Sequence, residues 1–366
     1  MDLHYYEFSI YSRFYERGEN KMNIDTKYVI DTMIKYLNIP SPSGKTTAAL
    51  EEARRQFEDM GIGTVKTKKG AVIATIEGEN TEEEKTISAH IDTLGAMIKG
   101  IKPNGRLKIV KVAGGTWTTL EGANVYVETR HGKKYRGTIL PVYASTHIYG
   151  AAARETVRTD DNMEIRLDEI VKSKEDVKAL GINVGDYVHI DPLTEITDNG
   201  FIKSRYIDDK SAVAMVFGIC KYLKDNKLKP KYTTNFFISN YEEVGHGVSA
   251  VPEKTTEFVA IDIGTVGGEQ ESDEFSVSIA AKDRSTPYDY DLRSKLVDIA
   301  EKNNVYYKID VYINYGSDAT QAMGQGFDFS FACIGPGVDA THHYERTHIS
   351  AIENTMKLLI GYIMEE

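Results

Sequence analysis

Several acidic and histidine side chains of this 366-residue chain stand at the ends of predicted strands, and such side chains bind divalent metal ions. The first two are His90 and Asp92, a His-x-Asp pair at the end of a strand predicted at about residues 85–90. Extended residues two apart point to the same side, so the carboxylate of Asp92 can hold the imidazole of His90 in the orientation that a metal requires. Taken alone, the pair is also explained as a solvated strand end.

Two adjacent acids, Asp208 and Asp209, come directly before a helix predicted at residues 210–224. Asp209 is placed to cap that helix, because an aspartate at such a position accepts free backbone N–H groups. Capping explains one acid but not two. A carboxylate can bridge two cations with its two oxygens, so Asp208 is the candidate bridging ligand. A cap followed by a surface charge would also account for the pair.

Two glutamates, Glu242 and Glu243, follow a buried strand predicted at residues 233–239. In a site with little water, adjacent carboxylates repel each other unless cations or a shared proton compensate. One of them can bind a metal ion while its neighbour serves as a general base towards water, a division of labour found in zinc hydrolases. A solvated strand end is the plainer alternative.

Two further groups of candidates lie towards the C-terminus. Asp262 ends another apolar strand. His342, His343 and His348 place three of the nine histidines within seven positions, next to a helix predicted from Ser350. Clustered histidines are common metal ligands, although surface or core histidines would explain the cluster without any metal.

What these candidates share is their position, because four of the sites close predicted strands. In an open α/β sheet the carboxyl ends of the strands line one crevice in which ligands bind. Two histidines, two aspartates and a glutamate converging there form the ligand set that two metal ions sharing one carboxylate require. Because nitrogen and oxygen ligands suit zinc, cobalt or manganese, we expect two divalent metal ions in this crevice.

The elements around these sites indicate a fold of the α/β class. Helices and strands alternate in residues 22–102 and 193–366, which predicts a catalytic domain with a mixed β-sheet and helices on both faces. Residues 103–192 instead show short alternating strands between turn signals, typical of a small inserted all-β domain. Residues 1–21 lack a periodic pattern, and we expect a poorly ordered extension there.

The composition argues against several partners. The chain has 44 Lys and Arg against 55 Asp and Glu, and its formal net charge of −11 would repel nucleic acid and anionic membrane surfaces. Its two cysteines, Cys220 and Cys333, lie in apolar runs, which favours buried free thiols and a reducing compartment. Because we find neither a signal-peptide pattern nor an apolar stretch that would span a bilayer, we expect a cytoplasmic protein.

In wording and order, the motifs of this chain resemble those of the tetrahedral aminopeptidases, a family of two-metal peptidases that includes glutamyl aminopeptidases. The resemblance extends from about residue 25 to the C-terminus. The matching motifs are Pro42-Ser43-Gly44, Ala89-His90-Ile91-Asp92-Thr93-Leu94-Gly95, Gly181-Ile182-Asn183-Val184-Gly185-Asp186, Ile207-Asp208-Asp209-Lys210, Glu242-Glu243-Val244-Gly245 and Gly316-Ser317-Asp318-Ala319.

The resemblance implies which residues bind the metal ions. His90 and Asp262 would bind one ion, Glu243 and a C-terminal histidine would bind the other, and Asp208 would bridge the two. The family's usual Arg-Tyr-x-His-Ser-Pro ending is missing here, so the last histidine has to be found by counting from the glycines that follow residue 334. That count favours His342 over the two later histidines.

The resemblance also implies a mechanism and an assembly. Glu242 would act as the catalytic base towards water that the two metal ions activate, and Asp92 would orient His90. The substrates would be peptides, from which N-terminal residues are removed. The inserted domain resembles the PDZ-like domain through which family members form dimers and dodecameric shells, so we expect self-association.

Other functions are compatible with the same motifs. A deacylase or carboxypeptidase can use this two-metal scaffold, because the ligands determine hydrolysis and the pocket determines the substrate. A noncatalytic assembly protein can retain the scaffold too, but the presence of both Glu242 and Glu243 argues against it. A glycosidase, which needs two carboxyls flanking a sugar, fits less well. We therefore predict a metal-dependent aminopeptidase.

Overall fold

The computed structural model describes residues 22–365, so the extension expected at residues 1–21 lies outside the described residues. The α-helices are α1 (Thr26–Leu37), α2 (Thr47–Asp59), α3 (Thr146–Tyr149), α4 (Ala151–Glu155), α5 (Lys174–Ala179), α6 (Ile207–Asp225), α7 (Tyr290–Lys302), α8 (Asp318–Gly324) and α9 (Ile349–Met364). The β-strands are β1 (Thr64–Lys66), β2 (Val72–Ile76), β3 (Asn80–His90), β4 (Gly95–Ile101), β5 (Leu107–Val112), β6 (Asn124–Glu128), β7 (Lys134–Pro141), β8 (Met163–Leu167), β9 (Tyr187–Ile190), β10 (Glu195–Ile196), β11 (Phe201–Ser204), β12 (Tyr232–Ser239), β13 (Thr255–Ile261), β14 (Gly264–Val266), β15 (Val277–Lys282), β16 (Tyr307–Val311), β17 (Ser330–Asp339) and β18 (Glu345–His348). Over residues 22–365 we find no helix long and apolar enough to cross a lipid bilayer.

Twelve of these strands form one mixed sheet in the order β1-β2-β12-β3-β13-β17-β18-β11-β10, with β14 and β15 also paired to β17 and β16 paired to β15. The central strands β12, β3, β13 and β17 run parallel, whereas β2 and β15 are antiparallel to their neighbours β12 and β17. Parallel strands place their carboxyl ends at one edge, so the segments that follow His90, Ser239 and Ile261 meet there. The mixed α/β sheet that the sequence predicts is confirmed.

Both faces of the central sheet are covered, because alternate residues of its strands enter two different apolar cores. In β13, Val259 and Ile261 join a core with α1, α2, α6, α7 and α9, whereas Phe258 and Ala260 join a second core with α8. A strand that is buried on both faces has a continuous apolar sequence, which is why this segment is recognisable as a strand. The predicted helices on both faces are likewise confirmed.

The first helix begins where its capping residue predicts. Asp25 precedes α1, and its Oδ1 accepts a hydrogen bond from the backbone N–H of Tyr28 at 3.0 Å. Such a cap stabilises a helix by about 1 kcal/mol. The buried side chains of Val29, Ile30 and Met33 belong to the larger core, and α1 packs against α6. Helix α1 thereby supports the helix whose N-terminal end carries two of the candidate acids.

The remaining six strands close into a barrel, in the order β4-β5-β8-β7-β6-β9, with a separate apolar core that includes Trp117. This is the small all-β unit that the sequence predicts, but its first strand begins at Gly95 rather than at residue 103. Residues 103–105 form the hairpin turn between β4 and β5, where the N–H of Lys102 donates to the carbonyl of Arg106 at 2.8 Å. A turn signal inside a hairpin and one at a domain boundary look alike in a sequence.

The two cysteines, Cys220 and Cys333, are both free and buried, as the apolar runs around them predict. Burial raises the pKa of both thiols. The thiolate is the reactive form of cysteine, so these two residues are structural members of the core.

Candidate metal centre

Asp208 lies between two groups of metal-ligand side chains at the carboxyl edge of the sheet. One group consists of His90, Asp208 and Asp262, and the other of Asp208, Glu243 and His342. Within each group the ligand atoms lie within 4.8 Å of one another. These five residues are the five ligand candidates of the sequence analysis, and Asp208 is the one that belongs to both groups.

The first group forms at the ends of β3 and β13. His90 Nε2 lies 3.1 Å from Asp208 Oδ1, and both His90 and Asp262 are buried. The backbone after β13 approaches β17 so closely that a Cβ atom at Gly335 would stand 1.7 Å from the backbone oxygen of Asp262. Only glycine fits there. This close approach holds Asp262 beside the strand that leads on to His342.

The second group joins the turn after β12 to the segment after β17. His342 Nε2 lies 3.4 Å from Asp208 Oδ2 and 3.5 Å from Glu243 Oε2. His90 faces the other oxygen of the same carboxylate, Oδ1. The two oxygens of Asp208 therefore face two neighbouring positions, which is the geometry required of a bridging ligand.

The two later histidines of the C-terminal cluster take other positions. His343 lines a neighbouring cleft and enters neither group. His348 precedes α9, where its Nδ1 accepts the backbone N–H of Ser350 at 3.1 Å and its Nε2 lies 2.9 Å from the backbone oxygen of Asn199. Of the three histidines, His342 alone joins the candidate ligands.

Asp92 contacts His90 through its backbone more closely than through its side chain. His90 Nδ1 lies 3.0 Å from the backbone oxygen of Asp92 and 3.7 Å from the carboxylate oxygen Oδ1. The carboxylate accepts hydrogen bonds from the backbone N–H groups of Glu242 and Glu243, at 3.0 and 3.3 Å, and from the hydroxyl of Ser43. Asp92 can thus orient His90 with its carbonyl and hold the turn that carries both glutamates with its side chain.

Asp209 does not cap helix α6, contrary to the expectation from the sequence. Its backbone is non-helical (φ −121°, ψ 29°), and its Oδ2 accepts the backbone N–H of His90 at 3.0 Å. The residue that precedes α6 is Tyr206, in the left-handed conformation. An aspartate at a helix start can accept a hydrogen bond from the helix or from another segment, and here the end of β3 supplies the donor.

Glu242 lies beside the first group without joining either one. Its Oε2 is 3.8 Å from His90 Nε2. Burial raises the pKa of Glu242 well above its usual range; the charge of His90 opposes this rise and the charge of Asp262 adds to it. A carboxylate that borders a metal site but is not one of its ligands has the location of a general base.

Glu345 supports the centre from the backbone side, and the sequence analysis assigned it no role. Its Oε2 accepts the N–H of Asp208 at 3.1 Å, and its Oε1 accepts the N–H of His342 at 3.0 Å. Glu345 is buried and begins β18, a short strand that the sequence analysis did not predict. Its position three residues after His342, inside the histidine-rich segment, was the available signal.

The buried carboxylates of the centre repel one another. Burial raises the pKa of Glu243 to about 8 and that of Asp262 to about 7, and the charge of Asp208 adds to both shifts. Burial disfavours the charged form of His342, but its hydrogen bond to Asp208 and the charge of Glu243 raise its pKa to about 10. Divalent cations would relieve this repulsion, so both the ligand types and the charge balance fit metal ions.

A cleft adjoins the second group. Glu243 and His342 form part of one wall, and the barrel contributes the other, including Gly114, Thr116 and Leu120. A Cβ atom at Gly114 would stand 3.0 Å from His342 Nδ1, which shows how closely the barrel approaches the centre. The barrel therefore forms part of the candidate active site.

A mixed α/β sheet with candidate histidine and carboxylate ligands at its carboxyl edge is an arrangement suited to a metal-dependent hydrolase. The family model of the M42 glutamyl aminopeptidases matches residues 70–358, and the chain belongs to this family. It is a metal-dependent aminopeptidase, as its motifs predict.

The chain resembles one relative in sequence and two solved structures in fold. The chain is 45% identical over 333 residues to the protein named "Putative aminopeptidase YhfE" of Bacillus subtilis (strain 168), and the match covers 90% of this chain and 96% of the relative. Among solved structures, an aminopeptidase from the archaeon Desulfurococcus kamchatkensis has a TM-score of 0.83 at 22% identity, covering 93% of this chain and 96% of the other. The TET1 peptidase of Pyrococcus horikoshii, described as assembling into a tetrahedron or a large octahedral shell, has a TM-score of 0.79 at 24% identity, covering 92% and 100%. At such identities the structural likeness establishes the fold.

Proposed function

We propose that this aminopeptidase removes N-terminal residues from peptides with two divalent metal ions that share Asp208. The observation that carries the proposal is the pair of ligand groups, which have this carboxylate in common. His90 and Asp262 would complete the first position, and Glu243 and His342 the second. Zinc or cobalt suits such nitrogen and oxygen ligands, with manganese as a further choice. When bound, the ions would polarise the scissile carbonyl and lower the pKa of a water molecule.

Glu242 would be the general base of the reaction. It lies on the side of His90, with Oε2 3.8 Å from Nε2, and is not a member of either ligand group. From this position it can take a proton from the attacking water and return it to the leaving amine. Asp92 would keep Glu242 in place through the backbone hydrogen bond at 3.0 Å.

Peptides would enter through the cleft between the barrel and the metal centre. Because the barrel forms one wall of this cleft, both parts of the chain would contact the substrate.

We also propose that copies of the chain associate through the barrel, as a dimer that builds a larger shell up to a dodecamer. Two features support this: the exposed apolar side chains of Ile148 and Val157 in the segment that connects β7 and β8 of the barrel, and the assembly of the TET1 peptidase. The two buried free thiols favour a location in the reducing cytoplasm.

The roles of the two adjacent glutamates provide the direct test. In the wild-type protein, a chelator should abolish the hydrolysis of aminoacyl chromogenic substrates, and added zinc, cobalt or manganese should restore it. Glu242→Gln keeps the shape but loses the proton acceptor, so kcat should fall by roughly two to four orders of magnitude while both metal ions remain bound. Glu243→Gln should lose one metal ion.

Three results would contradict the proposal. Full activity of metal-free protein would exclude the metal mechanism. If Glu242→Gln loses metal and Glu243→Gln does not, the two roles are reversed. If Glu242→Gln retains the wild-type kcat, Glu242 is not the base.

A further inference from the structure

Gln321, a residue of α8, holds the carboxyl group of Glu242 from the side opposite the metal centre. Its Nε2 lies 2.7 Å from Glu242 Oε1 and 3.1 Å from the backbone oxygen of the same residue. One amide group thus contacts both the side chain and the backbone of the proposed base. None of the motifs in the sequence includes Gln321.

The orientation of the Gln321 amide follows from its other partner. Its Oε1 accepts the backbone N–H of Gly247 at 2.8 Å. A backbone N–H can only donate, so the amide oxygen must face Gly247 and the NH2 group must face Glu242. Gln321 is therefore a donor towards Glu242, and it leaves the other carboxylate oxygen free.

The free oxygen is the one that faces the centre. Glu242 Oε2 lies 3.8 Å from His90 Nε2, whereas Oε1 is occupied by Gln321. A hydrogen-bond donor on Oε1 fixes the rotation of the carboxyl group and directs Oε2 towards the place where water would be activated. Without Gln321 the carboxyl group would be free to rotate and to turn either oxygen towards the proposed metal positions.

Hydrogen bonds at its N-terminal end hold helix α8 in place. Its first turn has a capping box in which Ser317 and Thr320 exchange hydrogen bonds, and Ser317 also contacts the hydroxyl of Tyr288 at 2.8 Å. The carboxylate of Asp318 accepts the hydroxyl of Ser239, the last residue of β12. The helix is thus hydrogen-bonded to the strand that leads to Glu242, which holds Gln321 beside Glu242.

We propose that Gln321 is a positioning residue that selects Oε2 of Glu242 as the oxygen that receives the proton. This inference rests on the proposed role of Glu242 as general base. A positioning residue acts on the rate of the chemical step. Its loss should therefore lower kcat while leaving KM and metal content near their wild-type values.

Two substitutions separate positioning from a purely structural role. Gln321→Glu keeps an oxygen for the N–H of Gly247 but places a second carboxyl oxygen against Glu242 instead of a donor. Gln321→Met keeps the length and loses both contacts. We expect kcat to fall in both variants by roughly tenfold to a hundredfold, the usual effect of losing a hydrogen bond to a charged group. The metal content should stay at the wild-type value.

Gln325→Met is the matched control. Gln325 lies at the end of the same helix and donates to the backbone oxygen of Val248, so it ties α8 to the same loop without touching Glu242. This variant should keep the wild-type kcat, although its melting temperature can fall. Combining Gln321→Met with Glu242→Gln should lower kcat little below that of Glu242→Gln alone, since both act on one group.

The proposal is overturned if Gln321→Glu retains the wild-type kcat, because the contact to Gly247 would then be the only one that matters. It is equally overturned if the Gln321 variants lose metal, or change KM rather than kcat. These outcomes are distinct from failure of the proposed function. If Glu242→Gln is fully active, the proposed role of Glu242 as general base is refuted. If Glu242→Gln is inactive but the Gln321 variants are fully active, only the positioning role of Gln321 is refuted.

Discussion

The carboxylate of Asp92 accepts the backbone N–H of Glu242, with 3.0 Å between Oδ1 and the nitrogen. Its other oxygen accepts the N–H of Glu243 at 3.3 Å and the hydroxyl of Ser43. One side chain thus links the end of the strand that carries His90 to the turn that carries both glutamates. Because the two segments are 150 positions apart in the sequence, this carboxylate fixes a spacing that local structure cannot.

Replacing Asp92 with asparagine keeps the shape but turns one acceptor oxygen into a donor NH2 group. At least one of the three hydrogen bonds to the carboxylate is then lost, at a cost of about 1–3 kcal/mol. We expect kcat to fall roughly fivefold to 150-fold, the rate equivalent of that cost. The reduced kcat should persist when metal is supplied in excess, because His90 contacts the backbone oxygen of Asp92 and, of the proposed ligands, only Glu243 depends on the altered carboxylate. Steady-state kinetics and metal analysis on the same preparation check both expectations.

Ser43→Ala is the control for this variant, since it removes only the hydroxyl donor and leaves both backbone N–H groups bound to Asp92. Its effect on kcat should be the smaller of the two. Suppose instead that Asp92→Asn loses a metal ion and regains full kcat when metal is supplied in excess. Asp92 would then act only on the proposed ligands His90 and Glu243, and its link to Glu242 would have no effect on the rate.

A second prediction concerns Glu345, whose carboxylate accepts the N–H groups of Asp208 and His342 at 3.1 and 3.0 Å. In Glu345→Gln one of these N–H groups would face an NH2 group, which would displace the proposed bridging ligand or the last histidine. We expect metal affinity to fall by roughly tenfold to a hundredfold, as for other residues that support ligands. Competition with a chelator at increasing concentration measures this change.

Arg346→Gln is the matched control on the same strand. Arg346 is exposed and pairs with Glu274 at 2.6 Å, and a surface ion pair of this kind contributes about 0–1 kcal/mol. This variant should bind metal as the wild type does. If Glu345→Gln also retains wild-type affinity, the contacts of Glu345 stabilise the fold but do not support the ligands.

The parts of the site that the sequence predicts are those governed by strand ends. His90 and Asp262 each end a parallel strand or directly follow one, and parallel strands share one carboxyl edge. The family resemblance selects His342 by its distance from the glycines of β17, and Gly335 is the residue that lets this strand approach Asp262. Patterns repeated along the chain therefore suffice to bring the candidate ligands together.

The supporting residues could not be predicted in this way. Glu345 contacts Asp208 across 137 positions, and Gln321 contacts Glu242 across 79. They lie in β18 and α8, which have four and seven residues, too few for a periodic pattern. The capping role expected of Asp209 was wrong for a related reason: local chemistry allows a cap, but the carboxylate accepts its hydrogen bond from a tertiary partner, the backbone N–H of His90. Long-range contacts decide these positions.

A third prediction addresses assembly through the barrel. Ile148 and Val157 are apolar and 76% and 74% exposed, so a charge at either position should be tolerated by the monomer but not by an interface. We expect Ile148→Glu combined with Val157→Glu to run as a smaller species than the wild type in sizing experiments. Replacing the whole segment 103–192 by a linker would be less informative, because it would divide the barrel and remove one wall of the cleft.

The control for the assembly experiment is Val65→Glu, in the catalytic domain. Val65 is 67% exposed on β1, at the opposite end of the sheet order from β10, and lies outside the barrel. This variant should keep the wild-type size. An unchanged size for the barrel variants, with a smaller species for Val65→Glu, would move the interface to the catalytic domain.

The last prediction distinguishes the histidines of the C-terminal cluster. His342 Nε2 lies 3.4 Å from Asp208 Oδ2 and 3.5 Å from Glu243 Oε2, so we propose it as the last ligand. His348 instead accepts the N–H of Ser350 at the start of α9. The metal content of His342→Ala should therefore be about one ion per chain, compared with about two in the wild type, the number that a two-metal site requires.

His348→Ala should keep both metal ions, because it loses a helix cap and not a ligand. Such a loss costs about 1 kcal/mol and should appear as a lower melting temperature, with little change in kcat. Metal analysis and thermal unfolding of the two variants, prepared side by side, separate the roles. If His348→Ala is the variant that loses a metal ion while His342→Ala retains both, then the proposed second position is wrong and the centre closes around the later histidine.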